Sequence, residues 1–289
     1  MSLENFQKSA IPLSELYFLR PYGILDPEGY EKYFSLHCYK PGTTEAPLLD
    51  HYFVSRWDVP KGHTYTASDI ITSPTAHMTI FPDKAVLSIL LGKRSITGKG
   101  KGLMAGIKFH PGIIHAYNKG LTPQLINNPM PASSIFSEID SNFVEAIKTM
   151  TDEEIIANLE KIIRAHSITP GKQITMLTTI LREMRAHKHI ITVADVARHC
   201  HIPERTLQHL FKTYLGLFPK WFLTRNRLLG VLQEAHNSRT KPQWTKIAAN
   251  LGYSTQAHFT TEFKRTIGVT PSEYLKAFHD IRQVTSFDT

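Results

Sequence analysis

The spacing of apolar positions changes twice along the chain. From residue 33 to residue 109, short apolar runs rich in β-branched and aromatic residues recur at 33–39, 51–59, 78–81, 85–91 and 103–109. Pro-Gly, Pro-Lys-Gly, Phe-Pro-Asp and Gly-Lys-Gly breaks separate them. Short strands at this spacing predict a small barrel or sandwich. Past Pro111-Gly112 the period lengthens. Residues 134–150, 152–166 and 172–187 carry apolar positions at helical spacing, for example Ile155, Ile156, Leu159, Ile162 and Ile163. Thr151-Asp152-Glu153-Glu154 predicts a capped helix start, and Thr169-Pro170-Gly171 a break before the next helix. Such stripes face either a core or a subunit interface.

The last third contains one pattern twice. Ile202-Pro203-Glu204-Arg205-Thr206-Leu207-Gln208-His209-Leu210-Phe211-Lys212 leads to Gly216, Pro219 and Phe222. Tyr253-Ser254-Thr255-Gln256-Ala257-His258-Phe259-Thr260-Thr261-Glu262-Phe263-Lys264 leads to Gly268, Pro271 and Tyr274 at the same spacings. Upstream, Val196-Ala197 corresponds to Ile247-Ala248, with one extra residue in the second copy. A duplicated helix–turn–helix is the simplest object with this pattern, and its usual use is reading DNA.

Thr192 can cap a short helix over 193–199, and the following helix, 204–215, buries Leu207, Leu210, Phe211 and Tyr214. Stepping 100° per residue leaves Arg205, His209 and Lys212 farthest from the core, with Gln208 on the flank. Arginine suits guanine O6/N7, glutamine suits adenine N6/N7 and lysine suits phosphate. In the second copy 246–251 is the first helix, Ser254 the expected cap, and 255–266 the reading helix anchored by Phe259 and Phe263. Its outward positions are Ala257, Thr261 and Lys264, with Thr255, Gln256 and Thr260 around the same end. Between the copies, 220–236 reads as one helix of roughly 25 Å at 1.5 Å per residue, with Trp221, Phe222, Leu228, Leu229 and Leu232 as its apolar positions. Successive major-groove faces lie about 34 Å apart, so such a helix could present both reading helices to adjacent turns. Arg225 and Arg227 on it are phosphate or scaffold candidates.

Charge sharpens this picture. Residues 1–179 carry equal numbers of basic and acidic side chains, so the whole net charge of +8 sits on residues 180–289. That asymmetry suits a partner with a phosphate backbone. Two cysteines, Cys38 and Cys200, make no disulfide framework, so a reducing cytoplasm is expected. The first residues lack the layout of a signal peptide, and no apolar run approaches the ~20 residues of a spanning helix, so no membrane role is expected.

Histidines raise the question of metal. His37, Cys38, His51, His63, His77, His110 and His115 could converge inside a barrel, but no two have the close spacing of a metal motif. His187-x-His189 and His199-x-His201, near Cys200, could bind a transition metal or titrate as a pH switch. Against this, the end of a helix is set by packing, so no metal, cofactor or catalytic residue is assigned. The glycine- and lysine-rich stretch 92–102 lacks P-loop order and reads as a solvated hairpin tip.

Residues 185–280 resemble the DNA-binding domain of the AraC/XylS family of bacterial transcription regulators. The resemblance rests on Gly252-Tyr253-Ser254-x-Gln256-x-His258-Phe259, Phe263-Lys264, Gly268, Thr270-Pro271 and Tyr274. The first motif departs from the family pattern: His201 stands where a turn glycine is usual and Pro203 where a capping serine is usual. Gly230 replaces a common alanine in the linker helix. Residues 106–112 and 121–131 resemble sensor regions of poorly characterised members, which implies a cupin-like β-domain followed by helices.

The expectation is therefore an α+β chain: a β-rich sensor over 1–130, a helical linker or dimerisation segment over 131–180, and a DNA-binding domain over 181–289. Its DNA contacts are Arg205, Gln208, His209, Lys212, Thr255, Gln256, Thr260, Thr261 and Lys264. Double-stranded DNA and an unassigned small-molecule effector are the expected partners, with RNA polymerase and a second copy of the chain as further candidates. The competing reading is a metal-dependent cupin-type enzyme fused to a DNA-targeting module. Alkyl-transfer DNA repair, the third reading, needs an N-terminal cysteine cluster that the chain lacks.

Overall fold

A computed structural model of the chain describes residues 10–12, 27–71, 75–91, 93–187, 190–237 and 242–274. The strands are β1 (Ala10–Pro12), β2 (Phe34–Tyr39), β3 (Leu49–Asp58), β4 (Thr64–Ile71), β5 (Ala76–Ile80), β6 (Ala85–Ile89), β7 (Lys93–Lys99), β8 (Lys101–Phe109) and β9 (Met130–Pro131). Seven of them form one sheet in the order β1-β2-β3-β8-β5-β6-β9, and β4 and β7 form a separate ribbon. All of these strand pairings are antiparallel. In the centre, Gly106 of β8 pairs with Phe53 on one side and Thr79 on the other. A Cβ at Gly106 would lie 2.0 Å from the Met78 carbonyl oxygen, so no other residue fits there.

The five expected strands are all present, with ends moved by up to two residues. The ribbon is a correction. Residues 93–99 form a strand rather than a hairpin tip, and only Gly100, at φ +58°, makes the turn. The lysines at both ends of this segment mask a β-prone Ser95-Ile96-Thr97 centre. Gly98 in turn sits against the Phe34 and Trp57 rings.

The helices are α1 (Pro27–Tyr33), α2 (Ile114–Tyr117), α3 (Leu121–Gln124), α4 (Ser141–Ala146), α5 (Asp152–Ala165), α6 (Lys172–Ala186), α7 (Val193–His199), α8 (Glu204–Leu215), α9 (Pro219–Asn237), α10 (Trp244–Asn250) and α11 (Gln256–Ile267). The single helix expected over 134–150 is broken. Asp140 accepts the Phe143 N–H at 2.9 Å and so starts α4 afresh, with 3₁₀ turns at Ala132–Ser134 and Ile147–Thr149. Helix α5 begins at a full capping box, Thr151 with Glu154.

Ile155, Ile156, Leu159 and Ile163 of α5 are buried in one core with Val54, Ile107, Phe109 and Phe136. The stripe on α5 therefore faces the sheet. Polar ties fix the same helix: the Asp152 carboxylate accepts from Arg56 at 2.8 Å and from the Tyr39 hydroxyl at 2.9 Å. Between β8 and β3 an ion pair joins the buried Lys108 to the half-buried Asp50 at 2.8 Å. Burial would raise the Asp50 pKa, but the hydrogen bond from His51 and the Lys108 charge hold the carboxyl far below its usual range.

Helix α6 spans two cores. Ile174 packs with the sheet, whereas Leu177, Ile180, Leu181 and Met184 pack with Val196, Leu207, Leu210 and Phe211 of the first helix–turn–helix. A second join lies at α2 and α3, which meet the C-terminal end of α8. His115 stands edge-on to Tyr214 with ring centroids 4.5 Å apart.

Candidate nucleic-acid interface

The two motifs share one turn and differ in their caps. In the first, Thr192 caps α7: its hydroxyl accepts the Asp195 N–H at 3.1 Å and the Asp195 carboxylate accepts the Thr192 N–H at 3.0 Å. Val196 and Ala197 are buried, and the small Ala197 side chain lets α8 cross closely. The chain then turns through His201 at φ +53°, and the Ile202 N–H donates to the Ala197 carbonyl at 3.0 Å. The second motif repeats this turn with Gly252 at φ +80° and a Tyr253 N–H to Ala248 carbonyl bond of 2.9 Å.

Helix α8 has the expected bounds. Leu207, Leu210, Phe211 and Leu215 are buried, while Tyr214, expected inside, is half-buried and faces α2. Pro203 occupies its N-cap and supplies no side-chain cap. Arg205, Gln208, His209 and Lys212 are all exposed along one face. Helix α11 starts at Gln256, with Phe259 and Phe263 buried. Its cap is Thr255, not Ser254. The Thr255 hydroxyl accepts the His258 N–H at 3.1 Å, because the capping residue must directly precede the helix and reach its third N–H. Thr255, Gln256, Thr261 and Lys264 are exposed and Thr260 is half-buried. The Gln256 side-chain oxygen accepts from the Thr245 hydroxyl at 2.7 Å, a tie between α10 and α11 that sequence reasoning missed.

Helix α9 connects the two motifs and, at 19 residues, is roughly 28 Å long. Phe222 and Leu223 belong to the first motif's core and Leu228 to the second's. Arg225 is buried with its guanidinium over the Trp221 ring. Arg227 donates to the Leu251 carbonyl and lies over Tyr253. Both arginines therefore serve the scaffold. The side chains of Leu229, Gly230 and Leu232 lie outside the described residues.

The N-terminal histidines do not converge. His37 meets Asp152, His51 meets Asp50, and His63, His77 and His110 each bond a backbone carbonyl. Burial pushes the Cys38 thiol up to about 12. Among the described residues, Glu183, His187 and His199 form the one group of three such side chains whose ligand atoms lie within 4.8 Å of one another. Likewise among the described residues, no helix is long and apolar enough to cross a membrane.

Residues 196–277 match a protein-family model described as a helix-turn-helix domain. The chain is 26% identical over 130 residues to the probable transcriptional regulator LumQ of Photobacterium leiognathi, covering 44% of this chain and 52% of that protein. It is 33% identical over 86 residues to the raffinose operon transcriptional regulatory protein RafR of Pediococcus pentosaceus, covering 30% of each. The chain thus spans about half or less of the length of these curated relatives. A solved transcriptional regulator with an AraC-type DNA-binding domain, from Chromobacterium violaceum, is 25% identical, with a TM-score of 0.32 over 36% of this chain and 92% of that one.

Proposed function

We propose, from the match of residues 196–277 to a helix-turn-helix domain and the resemblance of residues 185–280 to the AraC/XylS family, that this chain is a sequence-specific DNA-binding transcription regulator. One observation carries the reading. Two copies of the same left-handed turn, each followed by a helix with an exposed polar face, are joined by one helix in the segment that bears the whole net positive charge. A scaffold of roughly this length suits two helices entering successive major grooves from one side.

In this reading Arg205, Gln208 and Gln256 contact bases, Lys212 and Lys264 contact phosphates, and His209, Thr255, Thr260 and Thr261 complete the two surfaces. Residues 181–289 are the DNA-binding domain, 1–130 the sensor of a small molecule, and 131–180 the connection between them. The contact of α2 and α3 with α8 supports a route from sensor to reader. The chain acts in the cytoplasm as a binding protein rather than an enzyme, with RNA polymerase and a second copy of the chain as its protein partners.

The test is selection of bound sites from random duplex DNA with the purified chain, followed by affinity measured against salt. An enriched asymmetric site with two half-sites about one helical turn apart, and log affinity falling steeply with log salt, is the expected result. Salt-dependent binding without enrichment of any sequence would overturn the assignment of reading helices.

A further inference from the structure

The end of α6 and the end of α7 bring three metal-ligating side chains to one point. Glu183 lies in the last turn of α6, and His187 is four residues on, so both project from the same side of that helix end. His199 is the last residue of α7, before the His201 turn. The His187 Nε2 lies 3.2 Å and the His199 Nε2 3.0 Å from the same Glu183 oxygen, Oε2. The two imidazole rings stand 4.6 Å apart. Glu183 is thus shared by two imidazoles across a 12-residue span of chain.

We propose that Glu183, His187 and His199 form a binding site for a divalent transition-metal ion of the zinc class, which staples the end of α6 to the first helix–turn–helix. Distance supports this first. Ligands held at 2.0–2.2 Å in a tetrahedron are separated from one another by roughly 3.3–3.6 Å. The two nitrogen–oxygen separations already lie within a few tenths of an ångström of that edge, and all three ligand atoms lie within 4.8 Å of one another. Donor chemistry supports it next. Two imidazoles and one carboxylate are borderline ligands that suit zinc, cobalt or nickel and not calcium or magnesium.

Access supports it third. The side chains are 28%, 39% and 31% exposed for Glu183, His187 and His199, enough for an ion to enter and keep a water in the fourth position. In the metal-free arrangement the carboxylate accepts from both Nε2–H groups. A bound ion takes the place of those two protons at the same three atoms, each proton moving to the Nδ1 of a neutral ring or, from a protonated ring, to solvent. Arg182 is a further charge nearby, its Nε 3.6 Å from the other Glu183 oxygen, and burial first and the Glu183 charge second push the neighbouring Cys200 thiol up. Arg182 engages Oε1 and leaves Oε2 to the ion.

The position gives the site a structural consequence. α6 carries Leu177, Ile180, Leu181 and Met184 into the core of the first motif, and α7 positions the turn before α8. An ion across their ends ties α6 to α7 and holds the first reading helix against the helix that leads from the sheet. The proposal is independent of what α8 reads.

The experiment uses the full untagged chain, stripped with a chelator and titrated with Zn(II) by calorimetry, with the thermal midpoint read in parallel. One Zn(II) per chain and a rise in the midpoint are expected. Glu183→Gln, His187→Gln and His199→Gln should each weaken binding at least roughly tenfold, while His63→Gln, on an exposed turn far along the chain, keeps full affinity. Circular dichroism of each metal-free variant reports whether it folds. X-ray absorption at the zinc edge of the unmutated chain reads the ligands without any mutation, and two imidazoles in a shell of nitrogen and oxygen are expected. Absence of stoichiometric binding, affinity in the three variants equal to that of the unmutated chain, or an absorption spectrum without two imidazoles would each overturn the site.

Discussion

His201 and Gly252 occupy the same turn of the two motifs, both with left-handed backbone, at φ +53° and φ +80°. The bonds around them superpose residue for residue: Ile202 donates to Ala197 as Tyr253 donates to Ala248. A side chain in this region costs about 1–2 kcal/mol, and glycine returns part of that through the extra freedom of the unfolded chain. His201→Gly should therefore stabilise the first motif by about 0.5–1 kcal/mol. Gly252→Ala should destabilise the second by about 1–2 kcal/mol. Chemical denaturation followed by fluorescence checks both; a destabilised His201→Gly would mean that the imidazole makes a contact worth more than the strain.

Gly216 and Gly268 end the two reading helices in the same left-handed cap, at φ +67° and φ +98°. Gly216 also stands at the join with α3. A Cβ on Gly216 would come within 2.6 Å of the Ile126 Cδ1 and 3.2 Å of the Pro123 Cα. Gly216→Ala should cost the cap penalty of about 1–2 kcal/mol and in addition push α3 away from α8. Limited proteolysis between the sheet-bearing part and the reader should quicken for Gly216→Ala and stay unchanged for Gly268→Ala. Equal cutting in both variants would show that the α2–α3 contact does not hold the two parts together.

The reader was legible in the sequence because its spacing repeats. The bounds of α8, the Thr192 cap and the outward face of Arg205, Gln208, His209 and Lys212 all follow from apolar periodicity and capping chemistry, which are local. The join at His115 and Tyr214 was not legible, because 99 residues separate the two rings and no pattern connects them. Tyr214 fits an inward helical position, and only the packing of α2 turns it into a contact between parts. Glu183 escaped notice for a similar reason. It is an ordinary surface acid until α7 brings His199 to it. β7 was hidden by flanking lysines, which read as solvent-exposed loop until Gly98 is seen under Trp57.

Acid should weaken the sheet-bearing part through His77. Burial, reinforced by the Lys108 charge, pushes its imidazole down to about 3. The folded state therefore keeps His77 neutral while the unfolded chain takes up a proton below about pH 6.5. The unfolded state binds more protons between these values, so stability falls as pH drops from about 6.5 towards 3. At pH 5 this amounts to about 1–2 kcal/mol. His77→Gln should flatten the fall in thermal midpoint between pH 6.5 and pH 5. An unchanged slope would assign the acid sensitivity to another group. The depressed Asp50 carboxyl adds a loss only at lower pH, below the ordinary carboxylate range.

The two reading faces should respond differently to mutation. Arg205 and Gln208 stand exposed at the start and middle of α8, and on the proposed reading they meet base edges. Arg205→Ala and Gln208→Ala should each cost about 1–3 kcal/mol on the selected site and relax preference at one position. Lys212→Ala should weaken all sequences alike and lower the salt slope by about one. Gln256 has a prior engagement, since its oxygen accepts from Thr245. A bidentate contact to adenine needs that oxygen as well as the amide N–H, so Gln256 either leaves Thr245 for the base or keeps the Thr245 bond on the oxygen's second lone pair. Thr245→Val separates the two. If Gln256 swings onto a base, Thr245→Val frees it and affinity for the selected site holds or rises, whereas Gln256→Ala loses discrimination at that base. If the Thr245 bond instead holds α11 in place, both variants weaken binding to all sequences in parallel. Fluorescence anisotropy on the selected site and on single-base variants of it distinguishes these outcomes.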